Sequence, residues 1–200
     1  MERGIRNAFF AAAVLAAGIT PALAGWREEA SPADINRLVT LDTVRMQAVQ
    51  AAVDYDGKGD FGAIKRVMEP AGRAVPARAL LGDWRCRQIK LGGISPYIVY
   101  PTWFHCRVRA VRGGLFFEKL NGSQRTNGFL YPENGAWVYL GASSAGHEPW
   151  HRYSGRQASV GARVTPDDQI GLLTGIGANH LKIEIPAVQE SLLDVIELKR

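Results

Sequence analysis

Residues 81–110, LGDWRCRQIKLGGISPYIVYPTWFHCRVRA, carry the pattern that decides the fold. Two runs rich in β-branched and aromatic residues flank a Gly-Gly pair and a proline, which is typical of a β-hairpin. Each run holds one cysteine, Cys86 and Cys106, with Pro96 midway between them. We therefore expect a cross-strand disulfide, worth roughly 3 kcal/mol on the chain-entropy model. Two buried free thiols are the alternative.

Strand-like runs continue beyond this hairpin, separated by Gly-Gly and Asn-Gly pairs that favour tight turns. The runs are residues 81–90, 97–110, 115–120, 124–131, 136–142, 169–174, 180–185 and 192–198. Short strands at such regular spacing favour a closed or nearly closed antiparallel barrel of about eight strands. Closure also removes the strand edges that a free-standing domain would otherwise expose.

The part of the chain before these strands is predicted to be helical. Ser31 is a suitable N-cap, Pro32 suits the first helical position, and apolar residues recur at helical spacing up to residue 53. A second, short helix is expected over 61–69, followed by a linker over 71–79.

The predicted fold class is therefore α+β, with N-terminal helices followed by an antiparallel β-barrel of about eight strands. The helical lead segment and its linker would span residues 25–79, and the barrel would span 80–200. We expect the helices either to pack on the barrel or to cover one end of it.

Residues 1–24 have the pattern of a cleavable signal peptide. Arg3 and Arg6 precede an uncharged run over 8–20, and Ala22-Leu23-Ala24 forms the small-x-small site that signal peptidases cut. The run is too short to span a bilayer, which needs roughly 20 apolar residues. We expect cleavage near Ala24 and a periplasmic or secreted protein, in an oxidising compartment that permits the disulfide.

Charge and hydropathy exclude two kinds of partner. The formal net charge is +5, but the basic residues are scattered, whereas nucleic-acid binding favours a stripe of Lys and Arg. No stretch of the sequence is apolar for long enough to form a spanning helix. We therefore expect neither a nucleic-acid partner nor a membrane span.

Residues 147–151, His-Glu-Pro-Trp-His, match the zinc-protease signature H-E-x-x-H letter for letter. The chemistry requires both histidines on one face of a helix, with the glutamate beside the metal-bound water. Pro149 is incompatible with that helix, so we expect a surface loop. Adventitious metal binding by His147 and His151 is the alternative.

Residues 54–60, DYDGKGD, have the spacing of a calcium-binding loop, with three aspartates as oxygen donors. Lys58 and Lys65 occupy positions where that loop needs ligand oxygens. A turn that ends the first helix is the better interpretation. No catalytic residue, cofactor site or metal site is predicted anywhere in the chain.

Gly82-Asp83-Trp84 opens the first strand. In barrels of the lipocalin type, a tryptophan at this place closes one end, and a basic side chain after the last strand packs across its ring, which contributes about 0.5–2 kcal/mol. The segment LDVIELKR, 193–200, offers Lys199 or Arg200 for that contact. We therefore expect a lipocalin-like barrel closed by Trp84 and Arg200; an ordinary core tryptophan is the alternative.

A basic cluster on the hairpin is a candidate face for an anion or a partner. Its members are Arg85, Arg87, His105, Arg107 and Arg109. If the two cysteines are directly opposed, the expected cross-strand pairs are Arg85 with Arg107, Arg87 with His105, and Asp83 with Arg109. Opposed like charges are destabilising, so compensation is expected from Glu118 opposite Arg109 and from an anionic ligand or partner. Solvated arginines are the alternative.

Several strings, taken in order, resemble an uncharacterised family of exported proteobacterial proteins that is known only as a domain of unknown function. They are LLGDWRCRQIKLGG at 80–93, FHCRV at 104–108, FEKLNGSQRTNGFLY at 117–131, WVYLGA at 137–142 and LDVIELKR at 193–200. The resemblance implies no activity. There is a fainter similarity to small periplasmic barrels that inhibit metalloproteases.

The sequence favours a non-enzymatic binding or interaction protein of the cell envelope. Aromatic residues gathered between 97 and 139 would line a barrel pocket or simply fill its core. The expected partner is a small apolar or anionic ligand, or an envelope protein. Inhibition of a periplasmic protease is the alternative, and a metal-dependent hydrolase that uses His147 and His151 is a weaker one.

Overall fold

The computed structural model describes residues 25–55, 61–155, 167–186 and 189–200, so the predicted signal peptide lies outside the described residues. The helices are α1 Trp26–Glu29, α2 Pro32–Val39, α3 Leu41–Asp54, α4 Phe61–Met68 and α5 Ala77–Leu80. The strands are β1 Gly82–Leu91, β2 Tyr97–Val99, β3 Phe104–Val111, β4 Gly114–Lys119, β5 Gln124–Glu133, β6 Ala136–Ala145, β7 Asp168–Gly177, β8 His180–Pro186 and β9 Leu193–Lys199.

The strands form one antiparallel sheet that closes because β9 pairs with β1. Residues 82–86 of β1 pair with β3, and residues 89–91 pair with β2 on the same side. Because β2 and β3 share one position in the sheet, the barrel has eight positions around its axis. The predicted α+β class and the antiparallel barrel of about eight strands are confirmed.

The helix predicted over 31–53 is divided at Thr40 into α2 and α3. Its start is confirmed, since the Ser31 side chain accepts a hydrogen bond from the Asp34 amide. Two of the apolar residues at helical spacing, Met46 and Val53, do not lie on the buried face, since they are 67% and 48% exposed. The break at Thr40 resets the helical phase, so α3 instead turns its alanines toward the barrel.

α2, α3 and α4 pack on the outer wall of the barrel, whereas the short α5 lies at one end of it, where Leu80 joins the lumenal core. α3 and α4 lie over β1 and β9, with Leu41 and Ile64 against Ile89 and Val195. Arg45 of α3 forms an ion pair with Glu184 of β8, with 2.6 Å between Nε and Oε1. Among the described residues, no helix covers the other end of the barrel.

The disulfide between Cys86 and Cys106 is confirmed, with a Cα–Cα distance of 5.9 Å. The cysteines are not directly opposed, however, because Trp84 pairs with Cys106 and Cys86 pairs with Phe104. The bridge is therefore diagonal, at a separation that disulfide geometry permits. The cross-strand pairs predicted from direct opposition are wrong by two residues; this even shift keeps every side chain on its predicted face.

Candidate functional site

The side chains that point into the barrel change from apolar to polar at the same end of six strands. From the apolar end, the inward columns are Trp84, Cys86, Gln88 and Lys90 on β1; Leu115, Phe117 and Lys119 on β4; Leu130 and Thr126 on β5; Tyr139 and Ser143 on β6; Leu173 and Gln169 on β7; and Leu198, Ile196 and Asp194 on β9. The lumen therefore has an apolar half and a polar half.

The apolar half is filled by the protein's own side chains. Phe117 and Tyr139 pack edge to face, with ring centroids 5.9 Å apart, and both are fully buried. Leu173, Ile183 and the disulfide belong to the same continuous core. Side chains therefore occupy this half, as expected for a packed protein interior.

The outer end of the apolar half is closed by the segment before β1. Leu80 and Val75 join the core there, and the Val75 carbonyl oxygen accepts a hydrogen bond of 2.8 Å from Trp137 Nε1. Arg200 lies over the Trp84 ring, with its guanidinium carbon 3.8 Å from the ring centroid. Lys199, the other residue considered for that contact, lies beside Trp103 instead, at 5.5 Å.

The polar half contains a cavity of about 270 Å³. Side chains from β1, β4, β5, β6, β7 and β9 line it, among them Lys90, Lys119, Thr126, Ser143, Gln169 and Asp194. Small-molecule sites are usually concave, with a few convergent polar groups on a mostly apolar lining; the lining here is instead mainly polar. This cavity is the candidate functional site.

One arc of the cavity presents hydroxyl and amide groups. Thr126 and Ser143 are direct cross-strand partners on β5 and β6. The Thr126 hydroxyl contacts the Tyr139 hydroxyl and the Gln169 side-chain oxygen. Burial raises the pKa of Tyr139 well above its usual range, so Tyr139 remains a neutral hydrogen-bonding group. This arc offers hydroxyl and amide hydrogen bonds, and the Asp167 carboxylate lies beside it, 3.5 Å from the Ser143 hydroxyl.

The opposite arc contains the carboxylates of Asp194 and Glu190, which are hydrogen-bonded to other side chains of the protein. Asp194 accepts hydrogen bonds from Ser191 Oγ at 2.6 Å and Gln88 Nε2 at 3.0 Å. Burial raises the pKa of Asp194, although these hydrogen bonds oppose the shift. Lys90, the cross-strand neighbour of Asp194, forms an ion pair with Glu190. The charges on this arc are therefore largely satisfied within the protein.

Lys119 extends from the inner face of β4 at the edge of the cavity and is 3% exposed. Its ammonium group donates to the carbonyl oxygens of Asn121, at 3.1 Å, and Gln124. It also lies 4.0 Å from the centroid of the Phe104 ring. Burial lowers the pKa of Lys119 to about 8, because desolvation disfavours the charged form.

The predicted basic face lies on the outer wall of β1 and β3, where carboxylates of the protein pair with three of its arginines. Arg87 Nε lies 2.5 Å from Glu197 Oε2. The other two pairs are Arg107 with Asp83, at 2.7 Å, and Arg109 with Glu118, at 2.8 Å. Carboxylates of the protein thus neutralise much of the positive charge for which an anionic ligand was expected.

Two members of the basic face oppose each other directly, since Arg85 pairs with His105 across the hairpin. The guanidinium carbon of Arg85 lies 5.3 Å from the centroid of the Trp103 ring, and Arg87 lies 5.0 Å from the same ring. Like charges collected around one indole ring are stabilised by cation–π attraction. The role of this face in binding an anion or a partner stays a prediction.

The aromatic residues expected in the lumen are divided between its two sides. Phe117 and Tyr139 are inside, whereas Phe116, Phe129 and Tyr131 form a row on the outer wall. The centroids of the Phe116 and Phe129 rings are 5.0 Å apart. A lumen lined by the whole aromatic set is therefore wrong, because alternation along each strand sends neighbouring residues to opposite faces.

The zinc-signature residues 147–151 form a turn and loop after β6, as expected from Pro149. His151 lies near Glu148, at 3.8 Å, and Asp167, at 3.2 Å, while His147 is exposed. The two histidines are thus not presented on one helical face. Most of the calcium-like segment, 56–60, lies outside the described residues.

The polar half of the lumen was not predicted, although the sequence holds a signal for it. Within β1, the inward residues run Trp84, Cys86, Gln88, Lys90, and in β4 they run Leu115, Phe117, Lys119. Each of these patterns is typical of an ordinary strand with one polar end. Only the strand register shows that these polar ends meet.

A comparison with protein families finds a match over residues 26–198 to a family described as a domain of unknown function, DUF4893. The match covers all the helices and nearly the whole barrel. No curated protein and no solved structure matches the chain. Among the described residues, no helix is both long and apolar enough to cross a membrane.

Proposed function

The chain belongs to the DUF4893 family, and for this member we propose an exported, non-enzymatic binding protein whose small polar ligand occupies the polar half of the barrel. The cavity of about 270 Å³ carries this proposal. Six strands contribute polar side chains to one end of the lumen, while at the other end Arg200 packs over the Trp84 ring, which supports closure there. A ligand would therefore enter and leave at the polar end.

The division of the lumen favours a polar ligand over the apolar one considered from the sequence. Phe117, Tyr139 and their neighbours fill the apolar half, so an apolar molecule would have to displace packed side chains. The open half presents hydroxyl, amide and charged groups, including Thr126, Gln169 and Asp194. Such groups bind a ligand that replaces the hydrogen bonds they make with water.

Export is part of the same proposal. The signal-peptide pattern at 1–24 and the Cys86–Cys106 disulfide support it, because stable disulfides form in oxidising compartments. Inhibition of a protease by an N-terminal segment is not adopted. α1 is anchored to the barrel, with Trp26 Nε1 and Arg27 Nη2 donating to Glu133 at 3.0 and 2.9 Å.

Native mass spectrometry of the protein purified from the periplasm tests the proposal. We expect a stoichiometric extra mass that is lost on mild denaturation. The variant Ser143→Phe would fill the cavity from the inner face of β6 and remove that mass. Thr102→Phe, in the exposed segment between β2 and β3, is the matched control and should retain it.

Two results would contradict the proposal. In the first, the wild-type protein, purified from cells in which export is confirmed, shows only the mass of the polypeptide, which means that no ligand occupies the lumen. An extra mass kept in full by a folded Ser143→Phe variant would place the ligand elsewhere on the molecule.

A further inference from the structure

Four well-buried cations among the described residues have a carboxylate partner. The ion pairs are Lys90 with Glu190, Lys182 with Glu184, Arg87 with Glu197 and Arg37 with Asp34. Removing a charge from water costs several kcal/mol unless an opposite charge and hydrogen bonds replace the solvent. The protein follows this rule in its outer wall, at its helix contacts and on the acidic arc of the cavity.

Lys119 departs from this pattern. It is as buried as the others, but its ammonium contacts in the described part of the chain are two backbone carbonyl oxygens and the face of Phe104. Desolvation is the cause of its lowered pKa, and no carboxylate opposes it. The cavity therefore holds a cation whose counter-charge the described residues do not supply.

A second cation stands at the rim of the same cavity. Arg125 Nη2 donates to the carbonyl oxygens of Ala145, at 3.1 Å, and Glu148, and the guanidinium lies 4.5 Å from the Trp150 ring centroid. Its Nε is buried and has no hydrogen-bond acceptor among the described residues. The entrance beside β5 thus has a cationic side chain with an unused hydrogen-bond donor.

We infer that the ligand of the polar cavity carries an oxyanion, a carboxylate or a phosphate, and that Lys119 binds it. This inference rests on the proposed function and specifies its ligand class. An oxyanion supplies the counter-charge that every other well-buried cation named above already has. A charge-assisted hydrogen bond between ammonium and oxyanion is also stronger than the neutral hydrogen bonds of the remaining arc.

The two arcs of the cavity then orient the ligand. Glu118 of β4 pairs with Asn127 of β5, which places Lys119 beside Thr126. The oxyanion lies on this side, next to the Thr126 hydroxyl; the Ser143 hydroxyl on the neighbouring strand already faces the Asp167 carboxylate, at 3.5 Å. Asp194, on the opposite arc, repels the oxyanion and accepts hydrogen bonds from hydroxyl or amino groups of the ligand. The ligand is thus a small molecule with an anionic end and a hydrogen-bond-donating end.

Chemical-shift titration of the full mature protein tests the ligand class. The probes are acetate and inorganic phosphate, and acetamide serves as the neutral counterpart of acetate. Chloride at matched ionic strength controls for salt. We expect acetate or phosphate to shift resonances of the polar half, and acetamide to have no effect at the same concentration.

Lys119→Met tests the residue, with Lys65→Met, at an exposed position of α4, as the matched control. We expect at least a tenfold loss of oxyanion affinity in Lys119→Met and no loss in the control. If Lys119→Met does not fold, the wild-type protein still tests the inference. Phosphate must then raise the pKa of the Lys119 ammonium group, which is measured from the nitrogen resonance of that group.

Three outcomes would overturn the inference: equal binding of acetamide and acetate, unchanged oxyanion binding by a folded Lys119→Met variant, or no response to either oxyanion. The native ligand could prove to be neutral, absent from Ser143→Phe and still bound by Lys119→Met. In that case the oxyanion inference is wrong and the proposed binding function stands. The absence of any native ligand mass would contradict the binding function itself.

Discussion

Arg200 and Trp84 share one hydrogen-bond acceptor. The Leu80 carbonyl oxygen receives Trp84 Nε1 at 2.8 Å and Arg200 Nη2 at 3.0 Å, while the guanidinium carbon lies 3.8 Å from the Trp84 ring centroid. This contact joins the end of β9, the start of β1 and the end of α5. If this contact closes the apolar end of the lumen, as we predict, the proposed ligand exchanges only through the polar end.

Trp84→Ala is expected to lower the free energy of unfolding by about 3–5 kcal/mol, because it removes a buried aromatic side chain and leaves a cavity. Arg200→Ala should cost about 1 kcal/mol, since Arg200 is exposed and its cation–π contact is weaker in water. Urea unfolding of both single variants and the double variant measures the coupling. We expect a coupling of about 0.5–1 kcal/mol; strict additivity would mean that the contact does not close the barrel.

The disulfide is expected to be inaccessible and stabilising. Cys86 and Cys106 should resist alkylation in the native, unreduced protein, because the bridge is buried in the lumen. Replacing both by alanine should lower the free energy of unfolding by about 2–5 kcal/mol. Alkylation followed by mass spectrometry and urea unfolding are the measurements. Rapid labelling of both thiols without reductant would contradict the bridge.

Stability should rise with pH through the titration of Lys119. Its pKa is 10.5 when unfolded and about 8 when folded, so the unfolded state binds more protons between these values, and folding becomes more favourable as pH increases. Below pH 8 the buried charge costs on the order of 3 kcal/mol. Relative to Lys119→Met, the wild-type protein should gain about 2 kcal/mol of unfolding free energy from pH 7 to pH 10.

Urea unfolding of both proteins at the two pH values measures this difference, because the other titrating groups are common to both. A difference that stays constant with pH would mean that Lys119 keeps its ordinary pKa in the folded protein.

Glu184 is expected to hold α3 on the barrel. It is buried on β8 and pairs with Arg45 at 2.6 Å and with Lys182 at 3.4 Å. Glu184→Gln would remove the buried carboxylate partner of both cations and should cost about 3 kcal/mol. Asp42→Asn removes the exposed partner of the same arginine and should cost less than about 1 kcal/mol. Comparable effects in thermal unfolding would show that burial does not set the strength of this ion pair.

The strands and their faces were predictable because side-chain direction alternates with a fixed period of two. Trp84, Cys86 and Cys106 could therefore be placed inside the barrel, and Arg85, Arg87 and Arg107 outside it. The register was not predictable in the same way. Direct and diagonal disulfides both satisfy the cysteine spacing, and the choice between them moves every cross-strand partner by two residues.

The sequence by itself predicted the α+β class, an antiparallel barrel of about eight strands, the disulfide and the inward position of Trp84, because these depend on local periodicity, turn chemistry and the pairing of two cysteines. Only the tertiary structure decided where the candidate site lies. Lys119, Gln169 and Asp194 are far apart in sequence, and they surround one cavity only because closure of the sheet brings the polar ends of their strands together. Whether a buried charge has a partner is likewise a property of neighbouring strands, since electrostatic energy depends on distance in space.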